Sequence, residues 1–338
     1  MIKTLQAGRA LAAISVAAFH LSIMMGNERY GGEAVFREYT KLGNKGVDFF
    51  FVLSGFIILF SHLKDVDRPE FFSKYIYRRF IRLFPIYWLY TFVFVLVLKL
   101  VGGTDAKIPD TFADWLTALT LIRFTNGDFP LSQAWTLFHE IAFYAVFSVL
   151  IINRRIGLFI LGIFIFVAII FYQYPDDDAR TPLNVYTAAY NLYFVFGMGA
   201  FWLYSKGGKG IFELTLGLFV SFAAIYTMPL PLNISPLFLV LGLSLLLSGV
   251  TKLESIGWVY VPTYIAFIGD ASYSIYLTHL NFEGTLLKIA TKADFKNVLG
   301  SGATFFVVLI STIILGCFAY YFVEKPLLLS IKQRIRIH

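Results

Sequence analysis

The chain has 338 residues, of which 58% are hydrophobic and only 14% are charged, whereas an ordinary soluble domain has about 25% charged residues. Together with a mean hydropathy of +0.72, this composition excludes a soluble enzyme, a disordered chain and a disulfide-stapled scaffold. The formal net charge of +7 would suggest nucleic-acid binding in a soluble protein. Here the cations follow a membrane topology, and no nucleic-acid partner is predicted. Cys317 is the one cysteine of the chain and cannot form an internal disulfide.

Ten apolar runs follow one another along the chain, and each approaches the roughly 20 apolar residues that a membrane-spanning helix needs. They lie at residues 10–26, 46–62, 83–101, 131–152, 156–173, 184–204, 211–228, 235–250, 260–281 and 301–322. The connections between them are short and leave no room for a soluble domain. The sequence therefore predicts an all-α polytopic membrane protein with about ten transmembrane helices, in a single domain over residues 1–338.

The distribution of Lys and Arg predicts the orientation. With the N-terminus in the cytoplasm, most of the 28 basic residues fall in inside segments, above all residues 64–82 and the C-terminal tail, while the acidic outer loop at 176–178 is followed by Arg180 as its one cation. This bias follows the positive-inside rule and predicts that both termini are cytoplasmic. The first run also resembles a signal peptide, but its polar residue His20 favours retention as a span.

Polar and ionisable side chains inside a bilayer are costly and mark candidate functional sites. In the first, second, fourth, sixth and ninth runs these are His20; Asp48 and Ser54; His139 and Glu140; Asn184, Thr187 and Asn191; and Ser272, Tyr276 and His279. Most of them fall in the outer half of their predicted spans. The pattern predicts a hydrated cavity that opens toward the outside.

Helical phase arranges these residues in stripes, because positions three or four apart share a face. Three stripes result: Thr136, Glu140 and Tyr144; Asn184, Thr187 and Asn191; and Ser272, Tyr276 and His279. Small polar side chains in membrane helices often only hydrogen-bond to neighbouring helices, and we favour that interpretation for Thr136, Asn184 and Ser272. For His20 and Glu140 we favour a functional site.

Two groups of arginines stand near the predicted cytoplasmic side. Arg9 lies eleven residues before His20, which places both on one face of a helix. Arg79 and Arg82 lie one helical turn apart in the predicted inner loop at residues 75–88. Taken alone, such arginines serve topology and anionic lipid headgroups. The alternative is a phosphate clamp, to which a guanidinium fork is well suited.

The remaining histidines carry no predicted role. His139 is adjacent to Glu140 but points about 100° away around the helix, which indicates a structural residue. His62 and His338 lie at polar boundaries. The sequence has no His-Glu-x-x-His motif, no cysteine pair and no carboxylate cluster with metal-ligand spacing, so no metal site is predicted.

Six segments of the chain, taken in order, resemble one family, the integral membrane acyltransferases of the acyltransferase 3 type. These segments are RALAAISVAAFH (9–20), GVDFFFVLSGF (46–56), RFIRLFPIY (79–87), AWTLFHEIAFY (134–144), GDASYSIYLTH (269–279) and YFVEKP (321–326). The resemblance covers residues 3–327. Thr136 stands where the family commonly has Ser, and Leu280 and Asn281 follow His279 where a Pro is often found, so His279 is the less well matched position.

The resemblance implies transfer of an acyl group, acetyl by default, from cytoplasmic acyl-coenzyme A to a hydroxyl of an extracytoplasmic glycan or lipid-linked sugar. It also implies a bacterial cytoplasmic (inner) membrane location. Arg9, Arg79 and Arg82 would contact the donor phosphates, and Ser54 would bind the thioester oxygen. Asp48, Trp135, Tyr144, Tyr276 and His279 would contact the acceptor; Trp135 is equally explained as an interface aromatic.

His20 is the predicted catalytic residue, because a histidine titrates in the range where a base for an alcohol is needed. It is either the general base or a transiently acylated nucleophile. Glu140 is predicted to orient the imidazole or stabilise its charge, as the acid does in a catalytic triad. The alternatives to an enzyme of this family are a secondary transporter, a non-enzymatic component of a glycan-export complex, and a different class of polytopic acyltransferase.

Overall fold

The computed structural model describes residues 2–101, 108–171, 181–226 and 235–335. The acidic loop at 176–178, Arg180 and His338 therefore lie outside the described residues. The α-helices are α1 (Lys3–Met25), α2 (Arg37–Thr40), α3 (Gly46–His62), α4 (Phe72–Val101), α5 (Phe112–Thr120), α6 (Trp135–Ile152), α7 (Arg154–Ile170), α8 (Pro182–Thr187), α9 (Tyr190–Ser205), α10 (Ile211–Tyr226), α11 (Ser235–Ser255), α12 (Thr263–Asp270), α13 (Ser272–Lys292), α14 (Phe295–Leu299), α15 (Ser301–Ala319) and α16 (Lys325–Ile335).

The predicted all-α membrane architecture is confirmed, and each of the ten apolar runs is largely helical where it is described. Within the described residues, six helical segments are long and apolar enough to cross a membrane. They are Lys3–Met25, Arg37–Asp65, Pro69–Leu100, Ser132–Ile152, Ser235–Ser255 and Ser301–Gln333. The protein is an integral membrane protein, while the number of spans and the side of the termini stay predictions.

Residues 75–88 were predicted as an inner loop but belong to helix α4, so the loop conformation is wrong, while their inner side stays a prediction. Pro85 lies inside that helix. The apolar run ended where charged residues begin, but helix formation does not require apolar side chains, and a helix can continue past the hydrocarbon into the polar boundary. Arg79 and Arg82 therefore stand on a helix.

Two predicted spans are interrupted. The run at 184–204 is divided between α8 and α9, and the amide of Asn191 donates to the carbonyl oxygen of Val185 across the break at 2.9 Å. The run at 260–281 is divided at Ala271, and α13 continues to Lys292. The helix thus extends beyond the predicted end of the run at 281, and Glu283 in this extension is fully buried.

The chain divides into two compact units: the first unit comprises Met1–Phe50 and Tyr260–His338, and the second unit comprises Phe51–Val259. In the first unit, α1 packs against α12, α13 and α15. The approach of α12 is close, since a Cβ atom at Gly269 would overlap the backbone of Gln6. A core of buried apolar residues joins α1, α13 and α15: Ala17, Leu21, Met25, Leu287, Ala290, Phe305, Val308 and Leu309.

The connection between α1 and α2 is held to the start of α15 through Glu33. The hydroxyl of Ser301 donates to its carboxylate at 2.6 Å, and the Lys296 ammonium lies 3.3 Å away. These two hydrogen bonds, the Ser301 bond first, hold the pKa of Glu33 below its usual value. The connection is therefore fixed by polar contacts at the surface of the unit.

In the second unit, two glycines let α3 and α9 approach to backbone contact. A Cβ atom at Gly55 would meet the backbone of Phe194, and one at Gly197 would meet the backbone of Val52 and Phe56. Small residues at such crossings are the usual means of close packing between membrane helices. Because Ser54 precedes Gly55, this crossing also fixes the position of a candidate site residue.

Candidate functional site

In the first unit the predicted base, His20, is paired with a second histidine. Nδ1 of His20 lies 3.0 Å from the carbonyl oxygen of Val16 and 3.3 Å from Nε2 of His279. Nδ1 of His279 lies 2.8 Å from the carbonyl oxygen of Tyr276. His279 is buried, whereas His20 is partly exposed. Two imidazoles from helices α1 and α13 thus share one hydrogen-bonded site.

The predicted common face of Arg9 and His20 is confirmed. Nε of Arg9 donates to the hydroxyl oxygen of Ser272 at 3.0 Å, and His20 contacts His279. Ser272 and His279 are seven residues apart on α13, which is two helical turns. Both side chains of α1 therefore project toward α13. The structure places Arg9 in a buried position.

Two other predicted site residues of the first unit have neighbours of a defined kind: Asp48 lies near a lysine, and Tyr276 lies near two other rings. Asp48 is buried at the start of α3, with a carboxylate oxygen 3.5 Å from the Lys45 ammonium. The ring of Tyr276 lies 5.8 Å from that of Phe50 and 5.8 Å from that of His279. Tyr276 therefore extends the histidine pair into an aromatic group.

In the second unit Glu140 is the centre of a hydrogen-bonded group. The hydroxyl of Ser54 donates to Oε1 of Glu140 at 3.2 Å, and the phenol of Tyr144 donates to the same oxygen. The contact with Tyr144 confirms that these two residues share a face of α6. Both donors hold the carboxylate of Glu140 in one orientation.

The two predicted clamp arginines differ in their surroundings. Arg79 is half-buried, and Nη2 donates to Nε2 of His62 at 2.8 Å. Its guanidinium carbon lies 5.7 Å from the ring centre of Tyr75 and 5.4 Å from that of Tyr144. Arg82 is exposed on the same helix. Arg79 is thus a cation held in place by its neighbours, whereas the side chain of Arg82 is exposed.

Trp135 belongs to an aromatic group that also contains the predicted structural histidine. The ring of Trp135 lies 5.0 Å from that of Tyr190 and 5.9 Å from that of His139. His139 is buried and makes edge contacts with Phe51 and Tyr190 as well. These contacts agree with a structural role for His139 and show that Trp135 is anchored on one side by packing.

The remaining polar residues of the predicted stripes bond to nearby backbone. Thr136 donates to the Gln133 carbonyl oxygen and Thr187 to that of Leu183, and Asn184 lies at the capped start of α8. These contacts support local hydrogen bonding over a substrate site for this set. The stripe at 184–191 also falls on both sides of a helix break.

Sequence reasoning missed two buried ionisable residues, His62 and Glu283. His62 is 1% exposed and contacts Arg79 and Asp65. The signal was its spacing, since His62 and Asp65 are three residues apart at the end of α3 and precede the arginine helix. Both carboxylate oxygens of Glu283 are buried with no hydrogen-bond partner among the described residues. Among these residues no group of three His, Cys, Asp or Glu is placed to hold a metal ion.

Comparison with known proteins links this chain to acyl transfer. The profile of a family described as an acyltransferase domain, of the acyltransferase 3 type, matches residues 2–322. Exopolysaccharide production protein ExoZ of Rhizobium meliloti (strain 1021) is 34% identical over 309 residues, which cover 85% of this chain and 90% of that protein. Acyltransferase MdmB of Streptomyces mycarofaciens is 34% identical over 119 residues, which cover 32% of this chain and 28% of MdmB. No solved structure matches the chain significantly.

Proposed function

The chain belongs to the acyltransferase 3 family and is a membrane acyltransferase, and we propose that it transfers an acyl group from cytoplasmic acyl-coenzyme A to a hydroxyl of an extracytoplasmic glycan. Acetyl is the proposed acyl group, and the bacterial inner membrane is the proposed location. The printed name of ExoZ refers to exopolysaccharide production, which supports a polysaccharide or a lipid-linked sugar as the acceptor.

The observation that carries the proposal is the hydrogen bonding of His20. A carbonyl oxygen only accepts, so the contact between Nδ1 of His20 and Val16 requires a proton on Nδ1. By the same argument His279 carries its proton on Nδ1, toward Tyr276, and its Nε2 accepts from His20. The neutral His20 imidazole therefore has its basic lone pair on Nε2, as a general base in a triad does.

In the proposed reaction, Nε2 of His20 takes the proton of the acceptor hydroxyl as the hydroxyl oxygen attacks the thioester carbonyl carbon. The carbon–sulfur bond then breaks, and the coenzyme A thiolate recovers that proton from the imidazolium. The alternative is that Nε2 itself attacks and carries the acyl group before transfer. The two routes differ in one intermediate, because only the second forms an acyl-imidazole.

Three further polar residues are assigned roles as part of the same proposal. Oε1 of Glu140 accepts hydrogen bonds from Ser54 and Tyr144. Glu140 is proposed as the carboxylate that stabilises the positive charge formed in the transfer step. Asp48 and Tyr276 are proposed on the acceptor side.

The donor side is assigned to arginines. Arg79 and Arg82 are proposed to bind the phosphates of acyl-coenzyme A, for which guanidinium groups are well suited. Arg9 is proposed as a third donor contact, and its bond to Ser272 fixes its position.

Purified protein in vesicles, supplied with acetyl-coenzyme A and a glycan extract, tests the assignment. His20→Ala is expected to lower turnover by about 10²–10⁴-fold, the usual contribution of a general base. Arg79→Ala combined with Arg82→Ala is expected to raise the donor KM and to leave the maximal rate largely intact. Near-wild-type turnover of a folded His20→Ala protein contradicts the catalytic role. Mass spectrometry of an acid-quenched reaction detects an acyl-histidine only on the covalent route.

A further inference from the structure

His62, Asp65 and Arg79 form a hydrogen-bonded series where α3 ends, in the second unit. Nδ1 of His62 lies 2.8 Å from a carboxylate oxygen of Asp65, and Nε2 of His62 lies 2.8 Å from Nη2 of Arg79. The imidazole is 1% exposed and makes an edge contact with the ring of Tyr75. One buried imidazole thus bridges an acid on α3's C-terminal side and a cation on α4.

The two partners determine the protonation state of the imidazole. A guanidinium has only donors, so Nε2 of His62 accepts from Arg79 and carries no proton. The ring proton is then on Nδ1 and is donated to the Asp65 carboxylate. His62 is therefore held as a neutral acceptor. A protonated imidazole would place two cations at hydrogen-bond distance and would break the contact with Arg79.

The other contacts of Arg79 are to the faces of two neutral rings. The guanidinium lies over the rings of Tyr75 and Tyr144, which attract a cation without cancelling its charge. None of the ion pairs among the described residues includes Arg79. The carboxylate of Asp65 is separated from Arg79 by the whole imidazole. A cation that is fixed by neutral groups remains able to bind an anion.

We propose that His62 is a positioning residue for the acyl donor: it holds Arg79 in one orientation, as a net cation, so that the guanidinium meets a phosphate of the donor. The proposal rests on the proposed function, in which Arg79 binds the donor. It assigns a role to a residue that does not itself touch the substrate. Arg82 is exposed and has no such support among the residues that the structure describes.

Two polar variants of His62 distinguish this positioning role from a purely structural one. His62→Gln keeps an acceptor near the position of Nε2, toward Arg79. His62→Asn keeps a polar group near the position of Nδ1, toward Asp65, but does not reach Arg79. Both variants keep a polar side chain, and because Asn is smaller than Gln or His, the check on folding applies to His62→Asn above all. The exposed neighbour Arg78 supplies the control Arg78→Ala, which removes a cation from the same turn of α4 without removing the His62 bond.

The measurement is the KM for acetyl-coenzyme A and the maximal rate of each variant in vesicles, with thermal unfolding as a check on folding. We expect His62→Asn to raise the donor KM about tenfold, the effect of losing one hydrogen bond to a charged group. The maximal rate of His62→Asn is expected to stay within about twofold of the wild-type rate. For His62→Gln and Arg78→Ala, both the donor KM and the maximal rate are expected to stay within about twofold of the wild-type values.

Equal donor KM values for His62→Asn, His62→Gln and the wild type would overturn the proposal. So would a fall in maximal rate with an unchanged KM, since that pattern indicates damage to the transfer step or the fold. The proposed function is tested separately by Arg79→Ala. If Arg79→Ala leaves the donor KM unchanged, the donor site itself is misplaced. If it raises the KM while His62→Asn does not, only the role of His62 fails.

Discussion

Gly197 and Gly199 lie two residues apart on α9 and differ in what a methyl group would meet. A Cβ atom at Gly197 would overlap the carbonyl oxygen of Val52 and would lie 2.8 Å from its carbonyl carbon and 2.9 Å from the amide nitrogen of Phe56. At Gly199, apart from the backbone of α9 itself, no atom of the described residues lies within 4 Å of the added Cβ. Gly197→Ala therefore tests the close packing of α3 against α9, whereas Gly199→Ala tests only the helix propensity of that position in α9.

The expected magnitudes follow from these distances. Unstrained carbon contacts are about 3.5–4.0 Å, so Gly197→Ala must move two backbones apart by roughly 1 Å. Overpacking of this kind costs about 1–3 kcal/mol, and the rigid backbone on both sides favours the upper part of that range. Ala is better than Gly in a helix by about 1 kcal/mol at most. This gain is common to both variants. The difference between their free energies of unfolding therefore measures the overpacking cost at the crossing of α3 and α9, which is expected to be about 2–3 kcal/mol.

Equilibrium unfolding in detergent micelles, followed by tryptophan fluorescence, measures both free energies of unfolding. Gly199→Ala is expected to be at least as stable as the wild type, and Gly197→Ala less stable. Gly55→Ala, whose Cβ would lie 2.8 Å from the carbonyl carbon of Phe194, is expected to behave like Gly197→Ala. Equal stability of the two α9 variants would refute the close approach of α3 and α9.

Three further outcomes are expected. Tyr144→Phe removes one of two hydroxyl donors to Glu140 and is expected to lower turnover about tenfold at an unchanged donor KM; a wild-type rate means that Ser54 alone suffices. Ser272→Ala removes the bond to Arg9 and is expected to raise the donor KM about three- to tenfold, whereas an unchanged value leaves Arg9 a packing residue. Glu33 has a lowered pKa in the folded protein, so its contribution to stability is present above its ordinary value of 4.5 and is lost as the pH falls through the folded value. Glu33→Gln is therefore expected to speed hydrogen exchange of the α1–α2 connection at neutral pH but not at low pH, and an equal effect at both would contradict the assignment.

Helix positions and local faces were predictable because they depend on residues near each other in the sequence. Apolar runs identified the helices, and three- or four-residue spacing placed Glu140 and Tyr144 on one face, where they are hydrogen-bonded. Eleven-residue spacing placed Arg9 and His20 on one face, and both contact α13. In these cases helical periodicity alone carries the information.

The partners across helices were not predictable in this way. His20 and His279 are 259 positions apart, and no periodicity relates them, because their contact depends on which helices pack together. His62 was assigned no role because it ends an apolar run next to charged residues, yet Arg79 and Asp65 occupy both of its nitrogens. Hydropathy measures the average polarity of a segment. It does not indicate whether one polar side chain at the end of that segment is hydrogen-bonded to other residues.

The arginines at 79 and 82 stand on a helix of 30 residues, whose length of about 45 Å exceeds the roughly 30 Å of hydrocarbon in a bilayer. A flexible loop in their place would lose about 1–2 kcal/mol of conformational entropy for each residue ordered by a ligand. On α4 this entropy was lost when the protein folded. An anion that binds there is thus expected to do so with a small change in heat capacity, since binding is not coupled to folding of the chain. Calorimetric titration of the wild-type protein with coenzyme A at several temperatures would measure that quantity directly.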